Sequence, residues 1–529
     1  MVNFKSLAFL FTLGVSTVLS QEQLLASPTE LWSNQIFSSV ATDLGVGKGN
    51  GCTLSPDGAH IIVTSVGGTV TSFNSLNGQV EWEYDPPQPT GGIVRSHSQV
   101  VFANATTPFM VYSVVENENS ADAVGRVIAL DMDGTELWVS GDLDGVPAGS
   151  PVVSSDGKYV FLTHNANFET VGFFTILSTD DAGAEFFSSS NQTTPFAPPG
   201  IFHKPYEGYY DYDNGRNNSN DLIMWSMQPK PEDTTIGDGQ LFAFQFPVST
   251  TSGNSTIGYF LMGEEPRSFQ TITAPTITNQ GLSSYWSTSR SNFYGWYGST
   301  TNPRGRFNRG PQAVAGFTRN DVFAGQPVFA SPAVSNGIVT PPTEPVIFGG
   351  TAATEFVRLN YNFSEQVVVN TNSLIKAEAR VDPYDRVVYF VEEAGTIHQV
   401  DFDTIQDLWV YNASNTVEGE MALNPKGSIL YVADSSGLVT ALQVSNLPIT
   451  TAPTAAPTAN ITSEAPTALP IVGGETPAPT PSPTAGEDTP QPTVGAGAEA
   501  PTVAPAPSAA SSQPMILISV VSMVLCLFL

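Results

Sequence analysis

Cysteine is nearly absent. The chain of 529 residues holds two, Cys52 and Cys526, and the second sits in an apolar C-terminal run. A disulfide framework is therefore excluded, and a secreted body of this kind must rely on the size of its core. Positive charge is scarce as well: 19 Lys+Arg stand against 49 Asp+Glu, a net charge of −30. A surface so acidic repels phosphate backbones and anionic lipid, which argues against nucleic acid as a partner. The five histidines, His60, His97, His164, His203 and His398, stand far apart with no H-x-H or H-x-x-x-H spacing, so a zinc site would have to be assembled from distant loops. No G-x-S-x-G elbow occurs, so a serine hydrolase has no local signature here.

Long apolar runs are confined to the two ends. Lys5 precedes LAFLFTLGVSTVL, and Val18 and Ser20 supply small residues, the order of a signal peptide cleaved after residue 20. MILISVVSMVLCLFL fills 515–529, short of the ~20 residues of a membrane span and preceded by the small polar stretch PSAASSQP. That order predicts a GPI-attachment signal over 514–529, with a single-span anchor as the alternative. Residues 448–513 are Pro/Thr/Ala-rich and lack Lys and Arg. Such a segment cannot bury a core and reads as a disordered, O-glycosylated stalk, on the order of 200 Å long at ~3.1 Å per residue. Sequons at Asn104, Asn191, Asn217, Asn254, Asn362, Asn412 and Asn460 fit a secreted glycoprotein. The expected product is a monomer at the cell surface, joined to the membrane through its C-terminal anchor.

The body, 21–447, has no sustained helical period. Short Val/Ile/Phe/Tyr runs alternate with Asp-Gly, Asn-Gly and Pro turns, an all-β pattern. Some of these runs recur in register. The turns SPDG (55–58), DPYD (382–385) and NPKG (424–427) each precede the next strand's glycine by ten residues, at Gly68, Gly395 and Gly437. Gly68 and Gly395 precede Trp82 and Trp409 by fourteen, and Gly125 precedes Trp138 by thirteen. The step from Asp385 to Gly427 is 42 residues, within the ~40–45 of a four-stranded propeller blade. Strands such as RVIALD are apolar on both faces, so each sheet must be covered by neighbours in a ring.

GRVIALDMDGTELW (125–138) resembles the repeat of the quinoprotein alcohol dehydrogenase-like propellers, and the SPDG pattern is shared with WD40-like and YVTN-like repeats. The resemblance implies a β-propeller of eight blades, with seven as the alternative count. The last unit lacks its tryptophan strand, and TELWSN (29–34) is an orphan copy of one. Residues 29–37 are therefore expected to pair with 437–445, putting Trp32 where Trp82, Trp138 and Trp409 stand in their own blades.

In the enzymes of that family a quinone stacks in the funnel beside a vicinal Cys–Cys pair, with a calcium ion and an Asp base. This chain has no such pair, so the resemblance implies the fold without the catalytic set, and no cofactor is expected apart from calcium as an option. Asp211 and Asp213 in DYDNG are the candidate calcium ligands, although the EF-hand spacing is not met. DMDG (131–134) reads as a hairpin turn.

Two aromatic insertions stand out, 202–215 and 283–310. The second supplies Tyr285, Trp286, Arg290, Tyr294, Trp296, Arg304 and Arg306, residue types that stack on sugar rings and pair with carboxylates or sulfates. The alternative is that these aromatics fill space between blades. The leading functional expectation is a binding or scaffold module for an extracellular glycan or an acidic protein. A quinone- or calcium-dependent oxidoreductase is the alternative, and a structural wall or adhesion protein the third.

Overall fold

The computed structural model describes residues 24–38, 43–89, 92–103, 108–118, 120, 122–166, 171–191, 198–202, 331–335, 346–351, 354–360 and 366–446, together with short strands between 210 and 319. The stalk and both terminal apolar runs lie outside the described residues. Every regular element described is a strand.

The strands form eight antiparallel sheets of four or more strands, plus one two-stranded hairpin at Tyr210–Asp211 and Arg216–Asn217. Numbered along the chain from inner to outer strand, sheet 1 runs from Gly51–Leu54 to Val80–Tyr84. Sheet 2 runs from Val94–Arg95 to Glu136–Val139, and sheet 3 from Val146–Pro147 to Ala184–Asn191. Sheet 4 runs from Gly200–Phe202 to Phe260–Glu264, and sheet 5 from Thr276–Ile277 to Gly316–Arg319. Sheet 6 runs from Ala333–Val334 to Gln366–Asn370, and sheet 7 from Arg380–Val381 to Asp407–Asn412. Sheet 8 has Ala422–Leu423 innermost, and its outer strand is Leu24–Gln35, from the other end of the sequence.

That outer strand is longer than the expected 29–37 and starts earlier. It pairs antiparallel with Leu438–Ser445, Leu24 opposite Ser445 and Gln35 opposite Leu438, with bulges that absorb its extra residues. Apolar layers then join successive sheets. Trp32 and Tyr431 of sheet 8 share a cluster with Ile61, Val63 and Phe73 of sheet 1. Similar layers link sheets 1 and 2 through Ile62 and Tyr112, and sheets 2 and 3 through Val111 and Leu162. Sheets 6 and 7 meet at Phe356 and Phe390, and sheets 7 and 8 at Tyr389 and Leu442.

The recurring turns owe their residue types to side-chain acceptors. In SPDG, Asp57 accepts from Ser55 Oγ (2.6 Å) and the Ala59 amide (3.0 Å). Asp156 repeats both bonds with Ser154 (2.6 Å) and Lys158 (3.1 Å). In NPKG the acceptor is Asn424, which takes the amides of Ser428 (2.7 Å) and Ile429 (3.1 Å). Asp131 of DMDG holds the amides of Asp133 (3.0 Å) and Thr135 (2.7 Å), as a hairpin turn requires.

The outer-strand tryptophans lock neighbouring sheets together. Trp32 lies over Gly78, Trp82 over Gly134 and Trp138 over Gly183, and a Cβ at these glycines would come within 2.4–2.5 Å of the indole. All three have positive φ (69°, 80° and 77°), so the turn and the ring together demand glycine. Trp32 Nε1 donates to the Ser75 carbonyl (3.1 Å) and Trp82 Nε1 to that of Met132 (3.0 Å). Trp409 faces sheet 8, whose third and fourth strands come from opposite chain ends and have no turn between them. Its Nε1 is buried without a hydrogen-bond partner.

One expectation is corrected here. Residues 283–310 are not simply an inserted loop: Ser283–Ser287 and Phe293–Tyr297 are the two middle strands of sheet 5 and pair with each other, Trp286 opposite Tyr294. The short alternating runs SSYWS and FYGWY propagate as strands because aromatic and β-forming residues suit a pleated, covered surface.

Candidate functional site

Charge is concentrated where the inner strands of sheets 7 and 8 begin. Just before the inner strand of sheet 7 the chain reads Lys376-Ala-Glu378-Ala-Arg380; before that of sheet 8 it reads Glu418-Gly-Glu420. In extended backbone, alternate residues share a face. Ala377 and Ala379 are buried against the sheets, while the charged residues between them stay half-buried. Gly419 is required by a close approach, because a Cβ there would sit 2.4 Å from Val46.

Arg380 is the centre of the group. Its Nη1 lies 3.0 Å from Glu378 Oε2, its Nη2 3.4 Å from Glu420 Oε2, and its Nε donates to the Met421 carbonyl (2.6 Å). Glu420 also accepts the Glu378 amide (2.8 Å). Its own amide and carbonyl bond to sheet 1, at the Asn50 carbonyl and the Cys52 amide (both 2.9 Å). Lys376 Nζ bridges Glu393 (2.8 Å) and Glu418 (2.7 Å). Further round the ring, Arg95 lies 3.2 Å from Asp43, and His97 is 2.6 Å from Glu118. A protein with few cations has gathered several of them at one end of its inner strands and matched each with carboxylates.

Burial sets the proton affinities. It pushes Glu420 up to about 7 against the pull of Arg380, with Glu378 adding to the rise. Glu378 is raised by the same desolvation, again opposed by Arg380. Desolvation works against the Arg380 charge, but Glu378 and Glu420 outweigh it and hold the guanidinium above its ordinary value.

A carboxyl that gains a proton on folding favours the folded state below its unfolded pKa, and that contribution is lost as pH rises through the folded value. The denaturation midpoint is therefore expected to fall between about pH 4.5 and 7 on account of this group. Urea titrations across that range should show a flatter profile for Glu420→Gln. An unchanged slope in the variant would remove Glu420 as the cause.

Below the ion-pair rung lies a cavity of about 440 Å³, lined by Cys52, Thr53, Leu54, Gln99, Arg380, Val381, Met421, Leu423 and the turn residues Pro383 and Pro425. Its walls are largely apolar. Thr53 Oγ1 is buried there without a partner, and so is the Asn50 side-chain carbonyl above it. Cys52 is 2% exposed and burial pushes its thiol up to about 12, so it carries no thiolate at neutral pH. This arrangement can hold a small or extended ligand; it presents no activated nucleophile.

None of this group was singled out from the sequence. The available signal was charge alternating with Ala or Gly immediately before an inner strand. Of the residues that were singled out, Tyr285, Trp286, Tyr294 and Trp296 stand in the middle strands of sheet 5, while Arg290, Arg304 and Arg306 lie outside the described residues. Asp211 ends one strand of the small hairpin, opposite Arg216, and Asp213 lies outside the described residues. Among the sequons, Asn191 and Asn412 end the outer strands of sheets 3 and 7, and Asn217 is in the hairpin. Asn104, Asn254, Asn362 and Asn460 lie outside the described residues. Among the described residues, no three of His, Cys, Asp and Glu are grouped as one metal ion would need.

Comparison with known proteins agrees with this geometry. A PQQ-type family model described as outer membrane protein assembly factor BamB matches residues 25–138. The solved Dos1 propeller is similar at 12% identity and a TM-score of 0.51, over 79% of this chain and 95% of that one. The fold is a β-propeller, and PQQ-type repeats are matched over residues 25–138. BamB from Moraxella catarrhalis (13% identity, TM-score 0.48, 79% of this chain and 97% of that one) and the computationally designed Ika8 protein (12%, 0.49, 78% and 99%) are also similar. No curated protein matches the sequence. Identities of this size carry the fold and nothing further.

The cysteine pair that lies beside the quinone in the quinoprotein enzymes has no counterpart in this chain, and Cys52 is inside the wall. Among the described residues, Glu378 and Glu420 are paired with Arg380, and Glu393 and Glu418 with Lys376.

Proposed function

We propose that this protein is a binding or scaffold propeller, secreted, glycosylated and carried on a stalk at the cell surface by a GPI anchor. The observation that carries the reading is the charged group on sheets 7 and 8: among the described residues its cations are matched by carboxylates, and the adjacent Cys52 thiol is buried and protonated. Groups arranged to neutralise one another rigidify a surface for recognition and leave none poised to attack a substrate. The matched family model describes an assembly factor, which is in keeping with a role in holding other molecules.

An extracellular glycan or an acidic protein is the proposed partner. Strand alternation supports one recognition end for the two aromatic segments. In a meander, the first and third strands of each sheet run the same way, so the ends of Gly200–Phe202 and Phe293–Tyr297 lie at the same end of the ring. The Tyr-rich stretch after Phe202 and the Arg-rich stretch after Tyr297 both leave from that end.

The decisive variant is Arg304→Ala/Arg306→Ala, because Trp286 and Trp296 stand in middle strands and their loss could disturb the sheet. Binding of the full chain to immobilised sulfated and uronic-acid polysaccharides should weaken at least about tenfold in the double arginine variant, as loss of paired charge contacts implies. Trp296→Ala, checked for folding by thermal melting, tests the stacking part, whereas Trp286→Ala probes the opposite end of the strand pair, where it is paired with Tyr294. Unchanged binding by all of these variants with melting preserved rejects the glycan-binding face.

A further inference from the structure

We propose that Asn412 carries an N-linked glycan whose task is to cover the apolar outer face of sheet 7. The idea rests on the secretory reading above, and it concerns the outermost strand, Asp407–Asn412. Trp409 and Tyr411 face sheet 8, where Trp409 is buried and Tyr411 donates to Glu30 (3.1 Å). The alternate residues Leu408, Val410 and Asn412 face the other way, and all three are exposed, Leu408 at 43% and Val410 at 45%.

Two large apolar side chains exposed side by side on one outer strand occur here alone among the described residues. The strand is also an edge, with one row of backbone donors and acceptors unpaired by any other strand. A flat apolar edge is a template for pairing with a second copy, and proteins blunt such edges with charge, proline or a cover. The outer strand of sheet 1 carries Glu81 and Glu83 on either side of Trp82. The same flanking positions in sheet 7 are Leu408 and Val410, without charge.

The cover is supplied by the sequence itself. Asn412-Ala413-Ser414 is a sequon, and Asn412 lies on the same face, one pleat repeat of about 7 Å beyond Val410. Its side chain is exposed and makes no hydrogen bond among the described residues, so the amide is available to the transferase. By contrast the neighbouring Asn415 amide is committed to Asp434 (3.0 Å) and Ser436 (3.2 Å). A glycan linked at Asn412 starts where the apolar strip ends, and its sugar faces can lie over it.

The test uses the full chain secreted from a eukaryotic host. Glycopeptide mass spectrometry should find Asn412 occupied. Ser414→Ala, which removes the sequon but leaves Asn412, should keep the melting temperature and shift sedimentation velocity from monomer towards dimers and larger species. Adding Leu408→Thr and Val410→Thr to that variant should restore the monomer. Occupied sequons elsewhere with Asn412 bare overturn this proposal alone, whereas a chain bare at every sequon overturns the secretory reading with it. A monomeric Ser414→Ala protein overturns the shielding role.

Discussion

Replacing Arg380 by methionine is expected to lower the stability of the propeller by about 1–4 kcal/mol at pH 8, between the effect of breaking an exposed pair and that of breaking a fully buried one. Methionine keeps much of the side-chain volume, so the loss comes from the two carboxylates left behind. Glu378 and Glu420 would then face each other, with only backbone amides and Lys48 to offset their charge. The cheapest response is to hold a proton between them. The destabilisation should therefore shrink towards pH 5, since losing the cation raises carboxyl proton affinities that are already high. Urea unfolding followed by tryptophan fluorescence at both pH values measures this directly. The triple change Glu378→Gln, Arg380→Met, Glu420→Gln should recover most of the loss, because it removes the whole charged set. A loss below about 1 kcal/mol at pH 8, the range of exposed pairs, would show that water screens the cluster fully.

The second large effect is at the strand that joins the two ends of the propeller sequence. Trp32→Ala should destabilise by about 3–5 kcal/mol, as deletion of a buried aromatic does. The ring is 8% exposed and packs on Phe73 and Tyr431, with centroids 6.0 and 6.1 Å away. Trp32→Phe keeps most of that contact and loses the bond to the Ser75 carbonyl, a net effect of about 1 kcal/mol. Trp409→Phe should be milder, since the Trp409 Nε1 has no partner to lose. Equal losses in the two phenylalanine variants would mean that the Ser75 bond contributes nothing. Deleting Leu24–Gln35 altogether should expose the edge of Leu438–Ser445 and drive association, visible in sedimentation.

Much of the architecture was legible because its signals are local. SPDG, SSDG and NPKG turns are set by side chains that hydrogen-bond within a few residues, so their spacing marks the sheets. The tryptophan positions were legible for a second reason: Trp82, Trp138 and Trp409 fall thirteen or fourteen residues after the strand glycine, and Trp32, Trp82 and Trp138 also lie over glycine turns of the next sheet. The orphan TELW at the N-terminus could be read through the same pattern, although its bulges hid the true start at Leu24.

The funnel was not legible. Lys376, Glu378, Arg380, Glu418 and Glu420 look like ordinary surface charge until the ring brings two inner strands side by side. Non-local pairing leaves no periodic mark beyond the charge–small–charge alternation. The aromatic stretch at 283–297 was ambiguous in the opposite sense. Its composition suits a binding loop and a strand equally well, and pairing shows that Ser283–Ser287 and Phe293–Tyr297 are strands.

The shared sheet also has a consequence for time. Gln35 and its partner Ser436 are 401 positions apart. At roughly 5–20 residues synthesised per second, the first strand waits about 20–80 s before its neighbour exists. Throughout that interval the strand lacks its sheet partner, although Trp32 can already pack on Phe73 and Gly78 of sheet 1. The last step of folding is then timed by the end of synthesis, and any truncated product leaves its first strand without a place.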